Sequence, residues 1–436
     1  MKTGRRNFLQ ASSVAGLAGL LTPRGLHAQE TAARATRGMP SPRIKDITVT
    51  ELEPARRIEV VKVITDQDGL YGYGDATAGF RDELVKPAVE DYLKPLLVGQ
   101  PTDRIEDIWH QCYLSSYYKN DNVLNSAISG VDQALWDIKG RQLGQPVYQL
   151  IGGKCREAAQ VYMHAGSSDP AMVVENAKKL VAQGVRYIHV DMGQGAAVQT
   201  LAGGQGFDRD VAVRDMLKIF ETFRAEMPVE IGLGCDIHSK LDAQRAVQFC
   251  KDAEKFKLYF VEDPLSPEDK DYFRQIRQQC DTQIAMGELF NEPHEWQTMI
   301  DGRLIDYIRC HIPHTGGFSV GRKIAIFAEQ YGVKTAWHAP LDMSPIAHTA
   351  NLHLDLASYN FGIQEYMPYP DPYREIFQGL IEVKNGYAWA NDKPGWGIEM
   401  DEKAAAKYPF GSRPADKNSR GGTRPVSRTA DGTPII

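Results

Sequence analysis

The sequence predicts an α/β protein, a (β/α)8-type barrel with an N-terminal α+β capping domain. Two patterns predict it. From about residue 158, eight short apolar runs alternate with amphipathic stretches, the rhythm of strand–helix units around a parallel barrel. Nearly every run also ends in a residue able to titrate or bind a metal, and barrel enzymes carry their chemistry on that C-terminal rim. An open doubly wound sheet shares the alternation, but no Gly-rich phosphate fingerprint follows an early strand.

The elements follow in order. Residues 1–28 read as a twin-arginine signal peptide: Arg5-Arg6-Asn7-Phe8-Leu9, an apolar run from Ala11 to Leu21, and a small-residue site at Leu26-His27-Ala28. The run is too short to span a bilayer comfortably. Periplasmic location by twin-arginine export is therefore expected, with no membrane span after signal removal. Residues 29–42 are a polar linker. The α+β unit is expected over 43–157, with strands Ile44–Leu52, Ile58–Thr65 and Gly69–Asp75 and helices Asp82–Leu97, Arg104–Tyr118 and Val123–Leu143. The barrel is expected over 158–366. Its strands are Gln160–His164, Tyr187–Asp191, Val229–Asp236, Leu258–Glu262, Ile284–Glu288, Tyr307–Ile312, Lys334–His338 and Asn360–Glu365. Segment 367–410 returns to the capping domain, with Leu380–Ala390 as an added strand there, and 411–436 is a tail.

Composition narrows the function. A chain of 436 residues, 42% apolar and 24% charged, excludes disorder and coiled coil. The formal charge is −6, and the first 28 residues hold only basic charges, so the body is more acidic still. Such a body repels a phosphate backbone, and nucleic acid is excluded as a partner. The six cysteines are scattered with no C-x-x-C, as small buried hydrophobes rather than a disulfide framework.

Asp236, Glu262 and Glu288 end three successive strands, each 26 residues after the last. Three carboxylates on adjacent strand ends repel one another unless a cation lies between them. All-oxygen ligation suits Mg²⁺. His238 stands two residues past Asp236, so strand alternation points it to the same side. It either moves a proton near neutral pH or orients Asp236.

These residues carry a resemblance. Asp236-Ile237-His238, Phe260-Val261-Glu262-Asp263-Pro264 and Gly287-Glu288-Leu289-Phe290-Asn291 resemble the metal-binding strand ends of the enolase superfamily. Ala134-Leu135-Trp136-Asp137-Ile138-Lys139-Gly140-Arg141, with Leu150-Ile151-Gly152-Gly153, is similar to its join between capping domain and barrel. Tyr307-Ile308-Arg309, Trp337-His338-Ala339-Pro340-Leu341-Asp342 and Asn360–Met367 resemble its mannonate dehydratase and starvation-sensing subgroup. The likeness runs from about residue 43 to 410. It implies Mg²⁺ on a substrate carboxylate, removal of the α-proton, an ene-diolate, and loss of the β-hydroxyl to give a 2-keto-3-deoxy sugar acid. It also implies a homo-oligomer.

The resemblance assigns roles. His238 becomes an acid/base residue, and His338 with Asp342 binds substrate hydroxyls, although elsewhere in the superfamily a seventh-strand histidine is the base. His164, Arg309 and Glu365 match substrate contacts, and Glu288 is carried over as both ligand and contact. Arg309 is alternatively an ion-pair partner of Glu288 or Glu365.

Three positions depart from the subgroup. Its strand-two arginine is His189 here, the loop from Gly193 to Asp210 holds no tyrosine to serve as base, and Gly79 replaces a substrate-binding asparagine. His189 is either the substitute base, tuned by Asp191, or a plain rim residue. His311 and His314 add imidazoles that could instead select a transition metal. The expected function is a Mg²⁺-dependent hydro-lyase on a sugar acid. The alternatives are a sugar-acid epimerase or cycloisomerase, and a metal-bearing binding protein without turnover.

Overall fold

Three antiparallel strands open the described chain: β1 (Ile44–Leu52), β2 (Ile58–Thr65) and β3 (Tyr71–Asp75), in that order. The structure, a computed structural model, describes residues 41–193, 197–199, 205–411, 431 and 433. The signal peptide, nearly all of the linker and nearly all of the tail lie outside the described residues. Short helical turns run from Asp82 to Leu97, followed by helices Ile105–Leu114 and Asn122–Leu143. The long helix begins where the Asp121 carboxylate accepts the Leu124 amide at 2.8 Å and ends at Gly144, whose φ is 63°. It lies on the sheet because Gly72 and Gly74 offer no side chain; a methyl at either would overlap the Ala134 or Gly130 carbonyl oxygen.

The barrel follows. Its strands are β4 (Ala159–His164), β5 (Tyr187–Asp191), β8 (Gly232–Asp236), β9 (Val261–Glu262), β10 (Ile284–Met286), β11 (Tyr307–Ile308), β12 (Lys334–Thr335) and β13 (Gln364–Glu365). A small hairpin, β6 (Ala197–Gln199) and β7 (Gln205–Phe207), occupies the loop after β5. Each barrel strand pairs in parallel with the next as far as β12. A parallel bridge from Thr335 to Phe361 and the pairing of Gln364 with Val161 carry the circuit back to β4. Tyr162, Phe260, Ala285, Tyr307, Ala336 and Ile363, all buried, form one inward-facing cluster, a packed interior rather than a pore.

The strands are shorter than the apolar runs suggest. Glu288, His311 and His338 lie two or three residues beyond the last ladder pair of their strands. The ladder ends as the rim splays, and at Gly287, with φ 145°, the backbone turns so closely on strand six that a Cβ would sit 2.8 Å from the Cys310 amide nitrogen.

The C-terminal segment corrects one expectation. Leu380–Ala390 contributes the hairpin β15 (Glu382–Lys384) and β16 (Tyr387–Trp389), which pairs with β4 of the barrel rather than with the N-terminal sheet. The return to that unit is made later in the chain. Beyond β14 (Phe377–Gln378) and β17 (Glu399–Met400), which pair with each other, Trp396 donates to Asp137 and Gln133, and Glu53 N donates to Tyr408 O. All six cysteines are free, five of them buried and Cys155 exposed. Among the described residues, no helix is long and apolar enough to cross a membrane.

Candidate active site

The rim gathers its charged groups into three clusters. In the first, ligand-capable atoms of Asp236, His238 and Glu288 all lie within 4.8 Å of one another. Asp236 ends β8 and is buried. His238 reaches it by a route strand alternation does not describe. Its backbone is left-handed at φ 52°, its amide donates to Asp236 Oδ1 at 2.6 Å, and its ring Nε2 returns to Oδ2 at 2.9 Å. Burial would lower the His238 pKa, but the Asp236 carboxylate pulls it up to about 9. His238 is therefore an imidazolium at neutral pH, with its side chain 39% exposed to the pocket.

The second cluster is built on Arg309, which is 1% exposed. It pairs through Nε with Glu262 Oε1, through Nη2 with Glu365 Oε2 at 2.9 Å, and through Nη1 with Ala336 O at 3.2 Å. Glu365 also accepts from Ala339 N at 2.8 Å and meets His164 Nε2 at 2.8 Å. These contacts decide the ion-pair alternative for Arg309. Arg309 and Glu365 are buried and join strands four, six and eight; of the two ion-pair partners expected for Arg309, Glu365 is one, and Glu262 stands in place of Glu288.

His189 calls for a correction of its own. It is fully buried, with Nδ1 2.7 Å from the Tyr259 hydroxyl and Nε2 3.2 Å from Glu262 Oε2. That second approach is out of line, so neither atom hydrogen-bonds there. Burial, then the charge of His164, drives its pKa down to about 3. A neutral ring beneath Glu262 supports a ligand and does not reach a substrate. Asp191 serves His164 instead, with Oδ1 3.2 Å from Nδ1. Held between Asp191 and Glu365, His164 rises to about 10 against the opposing effect of burial, and Asp191 falls to about 2. This imidazolium is the cation on the strand-two side of the pocket.

The third cluster joins His338, whose Nε2 is 3.2 Å from Glu288 Oε2, to His311 and His314. Asp342, four residues after His338, faces the N-terminal unit. Burial first, and then the charge of Asp342, raise Asp82 there to about 7. That unit reaches the rim through Asn125, whose Nδ2 donates to Asn291 O and His314 O, both at 2.9 Å.

The donors fit a hard divalent cation. Burial and the neighbouring Asp236 charge push Glu262 and Glu288 well above the carboxylate range, a cost that a cation between them removes. Glu262 Oε2 is buried without a hydrogen bond, an acceptor lacking a donor. Asp236, Glu288 and this oxygen of Glu262 are the groups that would hold the ion. Sequence reasoning missed Tyr259, the His164–Asp191 pair and the His311–His338 contact. The register of β4 on β5, which pairs His164 with His189 two residues before Asp191, was the available signal for the His164–Asp191 pair.

Comparisons with known proteins agree with this architecture. The Mandelate racemase / muconate lactonizing enzyme N-terminal domain model matches residues 40–152, and the Enolase C-terminal domain-like model matches residues 172–404. The chain is 43% identical over 399 residues to the D-galactonate dehydratase family member RspA of Pantoea ananatis, across 86% of this chain and 94% of that protein. A D-galactonate dehydratase family member of Salmonella enteritidis is 42% identical over 376 residues, across 81% and 90%. Among solved structures, an enolase from Pantoea ananatis with bound D-gluconate and Mg superposes with a TM-score of 0.85 at 40% identity, covering 90% of this chain and 99% of that one.

Proposed function

The chain belongs to the enolase superfamily, and within it to the D-galactonate dehydratase family, and from that membership we propose a Mg²⁺-dependent dehydratase of aldonic acids such as gluconate. It is a carbon–oxygen lyase. The observation that carries the reading is the Asp236–His238–Glu288 cluster on the barrel rim. Bound Mg²⁺ supplies positive charge to the substrate carboxylate, which acidifies the α-proton. Asp236, Glu262 and Glu288 hold the ion, and Arg309 and His189 brace Glu262 from behind.

One proton transfer is carried by a residue of the rim. His238, protonated and open to the pocket, gives its proton to the departing β-hydroxyl. The Asp191–His164 pair, already protonated, occupies the side where the subgroup's arginine and tyrosine stand and offers the ene-diolate a positive charge rather than a base. His338, kept neutral by burial, and Asp342 bind substrate hydroxyls.

The test is incubation of the mature chain with Mg²⁺ and a panel of aldonic, uronic and aldaric acids in D₂O, followed by proton NMR. A 2-keto-3-deoxy product is expected from an aldonic acid. Exchange at the α-carbon without loss of water would replace dehydration by epimerisation or cycloisomerisation. His238→Asn is expected to lower elimination by about 100-fold or more while α-exchange continues. Residues 1–28 are proposed to direct periplasmic export, which replacement of Arg5 and Arg6 by lysine should abolish, as read by fractionation.

A further inference from the structure

Two imidazoles meet on the barrel rim, His311 buried and His338 partly exposed. His311 lies three residues past β11 and His338 three residues past β12, and their Nδ1 atoms are 2.8 Å apart. His338 Nε2 lies 3.2 Å from Glu288 Oε2, a carboxylate oxygen that can only accept, so this nitrogen carries a proton rather than a bare lone pair. Only one proton fits between the two Nδ1 atoms, so one ring donates there and the other accepts. Each ring therefore dictates the tautomer of the other. If His311 holds the shared proton, His338 must carry its own on Nε2, the atom 3.2 Å from Glu288 that faces the pocket.

We propose that His311 is a positioning residue whose Nδ1–H donates to His338 Nδ1 and so fixes His338 Nε2 as a hydrogen-bond donor aimed at a substrate oxygen. His311 is braced for this. The His314 ring packs on it with centroids 4.1 Å apart, and His314 Nε2 donates to Ala78 O at 3.2 Å in the loop after β3. The loop of the N-terminal unit and the donor state of His338 are thus joined through three imidazoles. A donor at this position binds a hydroxyl or a developing oxyanion and makes His338 a poor base. The substrate named in this inference rests on the dehydratase reading. The paired tautomers do not.

The experiment is long-range ¹H–¹⁵N correlation on the full chain labelled with ¹⁵N-histidine, with His311→Leu and His311→Asn beside the wild type. Expected are His338 protonated at Nε2 and His311 at Nδ1 in the wild type, without any turnover being needed. His311→Asn, whose amide nitrogen donates from nearly the same place, should keep the His338 tautomer; His311→Leu should convert it to a mixture. On a dehydrated substrate, kcat/KM should fall about tenfold or more in His311→Leu and recover most of the way in His311→Asn. A wild-type His338 protonated at Nδ1, or a tautomer unchanged in folded His311→Leu, overturns the proposal. The expected tautomers in a chain inactive on every sugar acid would uphold it and remove the dehydratase reading instead.

Discussion

His164 and His189 are paired in register on β4 and β5 and project to the same side, yet their chemistry is opposite. His189 is sealed beneath Glu262 and neutral; His164 sits between two carboxylates and is charged. The difference is what each ring can reach, not what it is. A pH dependence follows from the charged one. The folded pKa of His164, about 10, exceeds its ordinary value near 6.5, so its contribution to stability is complete below about pH 6.5 and is lost as pH rises through 10. Asp191 has the opposite sign: its pKa falls from 3.8 to about 2, so its contribution is complete above about pH 4 and disappears as pH falls through 2. The Tm difference between wild type and His164→Gln should therefore be flat from about pH 4 to 6.5 and shrink towards pH 10. A difference that grows with pH would mean that His164 is neutral in the folded protein. Legibility at this scale was uneven. The carboxylates Asp236, Glu262 and Glu288 were readable because their spacing repeats the barrel period. The inward turn of His238 depends on a left-handed backbone that no strand pattern encodes, and the His311–His338 contact joins residues beyond both ladders.

Elements were legible wherever periodicity alone determines them. The Asn122–Leu143 helix and β5 lie within a residue of where the pattern places them, since amphipathic spacing and a continuous apolar run are local signals. Strand C-termini were not, because apolar residues continue past the ladder into the rim, where side chains still face inward but the hydrogen bonds have ended. The Leu380–Ala390 strand was legible as a strand but not in its partner, since an edge pairing depends on where the barrel presents a free edge. The approach of the Asn122–Leu143 helix to β3 is a tertiary constraint carried by single glycines. Gly74→Ala should destabilise the fold by about 1–3 kcal/mol in urea unfolding, because the new methyl meets the Gly130 carbonyl and the helix must lift from the sheet. Gly69→Ala offers the contrast. A methyl there meets nothing, and only its φ of 75° opposes the change, so its loss should stay near that of an exposed turn glycine.

At the scale of the molecule, the barrel brings several buried acids to one end and leaves their neutralisation incomplete. Arg309 satisfies one oxygen of Glu262, and His238 satisfies Asp236, but burial still raises Glu262 and Glu288 well above the carboxylate range. Without a cation these groups keep protons that the ion would displace, so binding and proton release are one event. Mg²⁺ should therefore raise the Tm, by the equivalent of about 2.7 kcal/mol at a hundredfold excess over Kd. The increment at a fixed sub-saturating Mg²⁺ concentration should be larger at pH 8 than at pH 6, because fewer protons compete for the same oxygens. In Glu288→Gln the increment should largely vanish, while the Tm without metal stays level or rises, since a buried acid has become an amide that needs no counter-charge. Differential scanning fluorimetry with EDTA, then with Mg²⁺, at the two pH values reads all of these. A Tm indifferent to Mg²⁺ in the wild type would show that Arg309 and the imidazoles already neutralise the rim, and would leave the fold without the ion that its proposed chemistry requires.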